Sequence, residues 1–131
     1  MRRDKNDIAW QECKKQVFEK DQSTCCLCKV MTTAEYQLQK NYIQSKQVFA
    51  NISTIDPAHH LAVSQRPDLM YDVDNVYCLC RWHHDNLDRN KNPFDQEPIT
   101  NEVVEQFWSR IVESRKEKES TKLNDFFYDE L

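Results

Sequence analysis

Asp74-Asn75-Val76-Tyr77-Cys78-Leu79-Cys80-Arg81-Trp82-His83-His84 is the stretch whose reading decides the fold. Its first half, Asn75 to Leu79, has the composition of a short strand. Its second half places Cys80 and His83 two residues apart, a spacing that lets both reach one metal ion. A matching pair, Cys25-x-x-Cys28, lies upstream. Structural zinc takes four tetrahedral nitrogen and sulfur ligands, often as two such pairs, so the spacing predicts one Zn2+ on Cys25, Cys28, Cys80 and His83. The x-x spacing selects Cys25 over its neighbour Cys26, and Cys13, Cys26 and Cys78 are read as packing residues. Fifty-one residues, 29–79, separate the pairs. That is long for a simple finger, so something folded is expected between them.

The rest of the composition frames this core. The chain has 131 residues, the size of a single domain. Charged residues make up 31% and the mean hydropathy is −0.87, yet there are three Trp, five Tyr and six Phe. A small core under a well-solvated surface is implied, not disorder. Met1-Arg2-Arg3-Asp4-Lys5 leads into an amphipathic stretch with no apolar signal region. No run approaches the roughly 20 apolar residues of a membrane span. A cytoplasmic, non-membrane protein is therefore expected, in which clustered cysteines bind metal and do not form disulfides. The net charge of −4 gives no global sign of a polynucleotide partner, so any phosphate contact must come from a local basic face. Glycine is absent. Left-handed turn positions are accordingly expected at Asn and Asp, with Asn41, Asn51, Asn75, Asn86, Asn90, Asn92 and Asn124 as candidates.

Outward from the core, Asp7 to about Lys20 reads as a capped helix anchored by Ile8, Trp10, Val17 and Phe18. Asp21 to Thr24 make a turn into the first cysteine pair. Thr33 to about Phe49 reads as a helix with Ala34, Leu38 and Tyr42 on one face, or as partly strand. Ile52 to Ile55 is β-branched and reads as a strand, and Leu61 to Asp74 as an extended loop. His83 to about Asn90 has helical character, and Asn92-Pro93 breaks it. Thr100 to about Lys118 reads as a helix with Val103, Val104, Phe107, Trp108, Ile111 and Val112 on its apolar face. Arg115 to Lys118 look like its exposed end. Leu123 to Leu131 form an acidic aromatic tail whose Phe126-Phe127-Tyr128 either packs back or docks a protein partner. One domain of three parts results: an N-terminal helix (1–24), a zinc-stapled core (25–90), and a C-terminal helix with its tail (91–131).

Asp56-Pro57-Ala58-His59-His60-Leu61, a loop, and then the opening stretch together resemble the HNH endonuclease family. The resemblance covers about Cys25 to Asp88, roughly half the chain, and its specificity lies in the combination. It implies an α+β fold in which a small ββα-metal, treble-clef-like core sits inside a zinc knuckle, flanked by the two terminal helices. It also implies a metal-dependent hydrolase of DNA phosphodiester bonds that uses one catalytic Mg2+ or Mn2+ beside the structural zinc. By position, His60 becomes the general base, and His84 a ligand of the catalytic ion with His59 as the second. Asn75 would orient His60 through the backbone while also serving as a turn residue. Two departures stand out. His83 replaces the family's usual cysteine, and Ala58-His59 also matches the family dipeptide, which would make His59 the base.

The chemistry suits these residue types. A neutral imidazole can take a proton from water, and a divalent cation can neutralise charge at the phosphate and leaving oxygen. Arg66, Arg81 and Arg89 are candidate phosphate contacts, and Arg2, Arg3 and Lys5 a basic arm. Asp85, Asn86 and Asp88 follow His84 and read as a solvated helix face, with contact to the metal or DNA as the alternative. The partner expected is DNA, with RNA and the oligomeric state left open, and the short chain is compatible with a phage or mobile-element nuclease. The alternative from a different class is a non-catalytic zinc-stapled module that binds nucleic acid or protein.

Overall fold

The computed structural model describes residues 7–129, with side chains through residue 116. The basic arm at Arg2, Arg3 and Lys5 and the aromatic side chains at 126–128 lie outside the described residues. The elements run α1 (Ile8–Lys20), α2 (Cys26–Val30), α3 (Thr33–Lys46), β1 (Ile55–His59), β2 (Val76–Cys80), α4 (Arg81–Asp88) and α5 (Asn101–Asp129). Strands β1 and β2 form a two-stranded antiparallel sheet in which Ile55 faces Cys80 and His59 faces Val76. The fold is α+β.

The sheet is covered on both sides because β2 alternates between two apolar partners. Val76 and Cys78 pack on Trp10, Cys13 and Val17 of α1, whereas Tyr77 and Leu79 join Leu27, Trp82, Phe94, Phe107, Trp108 and Ile111 in the larger core. Val17, Leu27, Leu79 and Ile111 are wholly buried, and each contributes about 1.5–3 kcal/mol relative to exposure. Cys13, Cys26 and Cys78 are buried as packing residues, and burial pushes the Cys26 thiol up to about 12. Asp7 caps α1 by accepting from the Ala9 and Trp10 amides and also receives the Tyr71 hydroxyl. Ile8 is 84% exposed and is not an anchor of α1, since the buried face repeats through Trp10, Cys13 and Val17.

Helix α3 resolves the ambiguous segment. Thr32 and Glu35 form a capping box, and the helix stops at Gln47, which takes a left-handed conformation. Leu38 on α3 remains 46% exposed. Residues 52–54 are not strand. Asn51 Oδ1 accepts the Thr54 amide at 2.9 Å, and the carbonyls of Asn51 and Thr54 receive the Trp82 and Arg81 amides at 3.0 and 2.9 Å. The segment is thus a turn that satisfies the open amides at the start of α4. The strand begins only at Ile55 and tolerates Pro57 because β1 is an edge strand.

Of the asparagines expected at left-handed positions, only Asn90 takes one among the described residues. The others fall to Gln22, Ser23, Gln47 and Gln96. Arg115 is buried, not an exposed helix end. Its guanidinium donates to Asp21 Oδ1 and Oδ2 at 2.8 and 2.7 Å and to the Val73 and Val76 carbonyls, both at 2.8 Å. It lies 4.0 Å from the Tyr77 ring. Asp21 in turn accepts the Cys78 amide. Burial opposes ionisation of Asp21, but the hydrogen bonds from Arg115 and Cys78 outweigh it and hold its carboxyl below the usual range. This pair fixes α5 to the end of α1 and the start of β2.

Candidate metal centre and adjoining cleft

Two local structures build the cluster. Cys25 precedes α2 as its cap, and its Sγ accepts the Cys28 amide at 3.4 Å. Cys80 ends β2, and His83 lies in the first turn of α4. Their ligand atoms all lie within 4.8 Å of one another, and the four residues can hold a metal ion. His83 Nδ1 is 3.4 Å from Cys25 Sγ and 3.6 Å from Cys28 Sγ, and the Cys28 and Cys80 sulfurs are 4.0 Å apart. A tetrahedral site with standard zinc bond lengths requires edges of about 3.5 Å (S to N) and about 3.8 Å (S to S). The observed cluster is therefore close to that size. Hydrogen bonds from the Cys28 and Cys80 thiols favour the Cys25 thiolate, and the same contacts push Cys28 up and Cys80 up to about 12. A bound cation displaces these shared protons.

His83 is wholly buried, and its Nε2 lies 2.7 Å from Oε1 of the buried Gln39 on α3. With Nε2–H donated to that oxygen, Nδ1 carries the lone pair and faces the sulfurs. This is the support a metal-bound imidazole requires. Gln39 was not identified from sequence. Its only signal is a polar residue on the inward side of α3, legible once the helix is placed.

Beside the cluster, a cleft of about 390 Å³ is lined by His59, His60, His84, Asp88, Glu105 and Trp108 among others. The structure thus brings the three histidines singled out from sequence to one surface, held by different elements. His59, at the end of β1, stacks on Trp10 at 5.4 Å and its Nε2 is 2.8 Å from the Met70 carbonyl. His60 stacks on Trp108 at 5.0 Å, with Nε2 2.9 Å from Glu105 Oε2. His84 on α4 sits between two carboxylates, Nδ1 to Asp56 and Nε2 to Asp88, both at 3.3 Å. Asp56, Asp88 and Glu105 were not identified as site residues, and Asp88 sits on the face read as solvated.

Asn75 ties the histidine segment down. Its carbonyl accepts the His60 amide at 2.9 Å, its Oδ1 accepts the Leu61 amide at 2.9 Å, and its Nδ2 donates to the Leu61 carbonyl at 3.1 Å. Asn75 is buried in the turn before β2, so the turn role and the bracing role coincide.

The three arginines differ. Arg66 pairs with Asp68 on the surface, and Arg81 donates to Asp56 through Nε and Nη2 at 3.3 and 3.1 Å. Arg81, Arg89 and Asp85 share a second hollow with Phe49, which is 89% exposed. Among the described residues no helix is long and apolar enough to cross a membrane.

Fold and site together define an α+β protein with a Cys3His cluster able to hold a metal ion and a histidine-lined cleft beside it. No protein-family model, curated protein or solved structure matches the chain.

Proposed function

We propose that this chain is a metal-dependent DNA endonuclease of the HNH type, with zinc in the Cys3His cluster as its structural staple. The observation that carries the reading is the single cleft that receives His60 and His84 while Asn75 fixes the backbone at positions 60 and 61. A zinc scaffold alone requires none of these three. Sheet β1–β2 followed directly by α4 supplies the order of a ββα-metal core.

The donor set suits a second, divalent ion. His84 Nε2 and Asp88 Oδ2 combine an imidazole with a hard carboxylate oxygen, with His59 on the same cleft, and such donors accept Mg2+ or Mn2+. Bound there, the ion supplies charge neutralisation at the scissile phosphate and leaving oxygen. His60 takes a proton from water as the water oxygen bonds to phosphorus. The bond from phosphorus to the 3′ oxygen then breaks, and that oxygen acquires a proton from solvent. The products are a 5′-phosphate and a 3′-hydroxyl. Arg81 at the start of α4 and Arg89 just after its end line the second hollow, and they are the basic groups offered to flanking phosphates.

The test is supercoiled-plasmid nicking in Mg2+ or Mn2+, with and without EDTA. His60→Ala is expected to abolish nicking while the protein stays folded with one zinc bound. Full activity in that variant removes His60 from its role. A wild-type protein that binds DNA but never nicks it supports the non-catalytic zinc module instead.

A further inference from the structure

Helix α5 lies outside the ββα order, yet it reaches into the cleft at one point. Glu105 and Trp108 stand three residues apart, so they share a helical face, and both touch the His60 imidazole. The Trp108 indole, itself 4% exposed, lies nearly parallel to the ring at an interplanar angle of 21°. Glu105 Oε2 meets the ring edge at Nε2, 2.9 Å away. A stack alone leaves a ring free to rotate within its plane, and one hydrogen bond alone leaves it free to tilt. Together they fix both.

We propose that Glu105 and Trp108 are positioning residues for His60, holding its imidazole in one orientation and one tautomer. This rests on the reading of His60 as the general base. Glu105 only accepts when ionised, so Nε2 carries the proton and Nδ1 the lone pair available to water. Arg115, two turns further along α5, locks the helix to Asp21 and to the Val73 and Val76 carbonyls just before and within β2. The clamp is therefore delivered at a fixed height along the sheet. Loss of the tautomer where a base depends wholly on its carboxylate costs roughly 10⁴-fold in rate. Glu105 is 57% exposed and water can substitute for it in part. The expected loss is accordingly about tenfold to a hundredfold.

The experiment compares wild type, Glu105→Ala and Glu105→Gln by steady-state nicking and by 15N NMR of the His60 ring. Glu105→Ala is expected to lower kcat with KM unchanged, to mix the two tautomers, and to leave the melting temperature in place. Glu105→Gln, whose amide oxygen can accept the same proton, is expected to keep the Nε2–H tautomer and to stay within about threefold of wild type. Unchanged kcat and tautomer in Glu105→Ala overturn the proposal, as does a rise in kcat, which makes Glu105 an obstruction. Equal impairment of the two variants also overturns it. If wild type nicks nothing under any ion, the base assignment fails, and the NMR comparison still decides whether Glu105 holds the ring.

Discussion

Arg115→Met tests whether α5 is held to the sheet chiefly by its buried ion pair. The substitution keeps the length of the side chain and removes four donated hydrogen bonds, two to Asp21 and one each to the Val73 and Val76 carbonyls. The Asp21 carboxylate, 2% exposed, keeps the Cys78 amide and the Cys26 thiol but loses its paired guanidinium. Stranding a buried charge in this way costs about 3–5 kcal/mol, a large part of the roughly 5–15 kcal/mol available to a domain. At roughly 2 cal/mol/K per residue of unfolding entropy, that loss lowers Tm by about 11–19 °C for a chain of this size. Thermal and urea melts followed by circular dichroism, with zinc saturating, measure it. Adding Asp21→Asn should recover part of the loss, because the stranded charge is gone, with a coupling of about 1–3 kcal/mol. A shift below about 1 kcal/mol in Arg115→Met, or simple additivity in the double variant, refutes the reasoning.

Gln39→Leu removes the acceptor that fixes the His83 tautomer and is expected to weaken zinc binding about 10–100-fold in a chelator competition, while full chelation of wild type unfolds the domain. Glu35 offers a pH test. Hydrogen bonds from Arg110 are the largest influence holding its carboxyl at about 2, below its ordinary 4.5. A lowered folded value means its contribution is complete above about pH 4.5 and disappears as pH falls towards 2. The stability gap between wild type and Glu35→Gln should therefore shrink across that window in urea melts, and a constant gap would count against the Glu35–Arg110 pair.

The parts of the molecule legible in sequence are those set by local geometry. Two x-x spacings suffice to pair Cys25 with Cys28 and Cys80 with His83, because each pair is closed by a single turn. The apolar periodicity of Trp10 to Val17 and of Phe107 to Ile111 survives in any packing. What stayed hidden depends on distant partners. Gln39 meets His83 across 44 positions, Glu105 meets His60 across 45, and Arg115 meets Asp21 across 94. Nothing local marks an arginine near a charged run as buried. The β-branched character of Ile52 to Ile55 signals a strand ahead of the true β1, Ile55–His59, in which Pro57 argues against one. Helix α4 required those residues as a cap, and an edge position made the proline harmless. Left-handed positions went to Gln and Ser more often than to Asn for a related reason: the turn is fixed by what flanks it, and the residue there accommodates.

The order of the chain also separates metal capture from closure of the core. All four cluster ligands, ending at His83, precede Asn101, the first residue of α5. The ligand set therefore needs nothing from α5, whereas Asp21 and the larger core depend on the arginine, tryptophan and phenylalanine that this helix brings. Residues 25–83 supply the staple, and α5 supplies one wall of the cleft beside it.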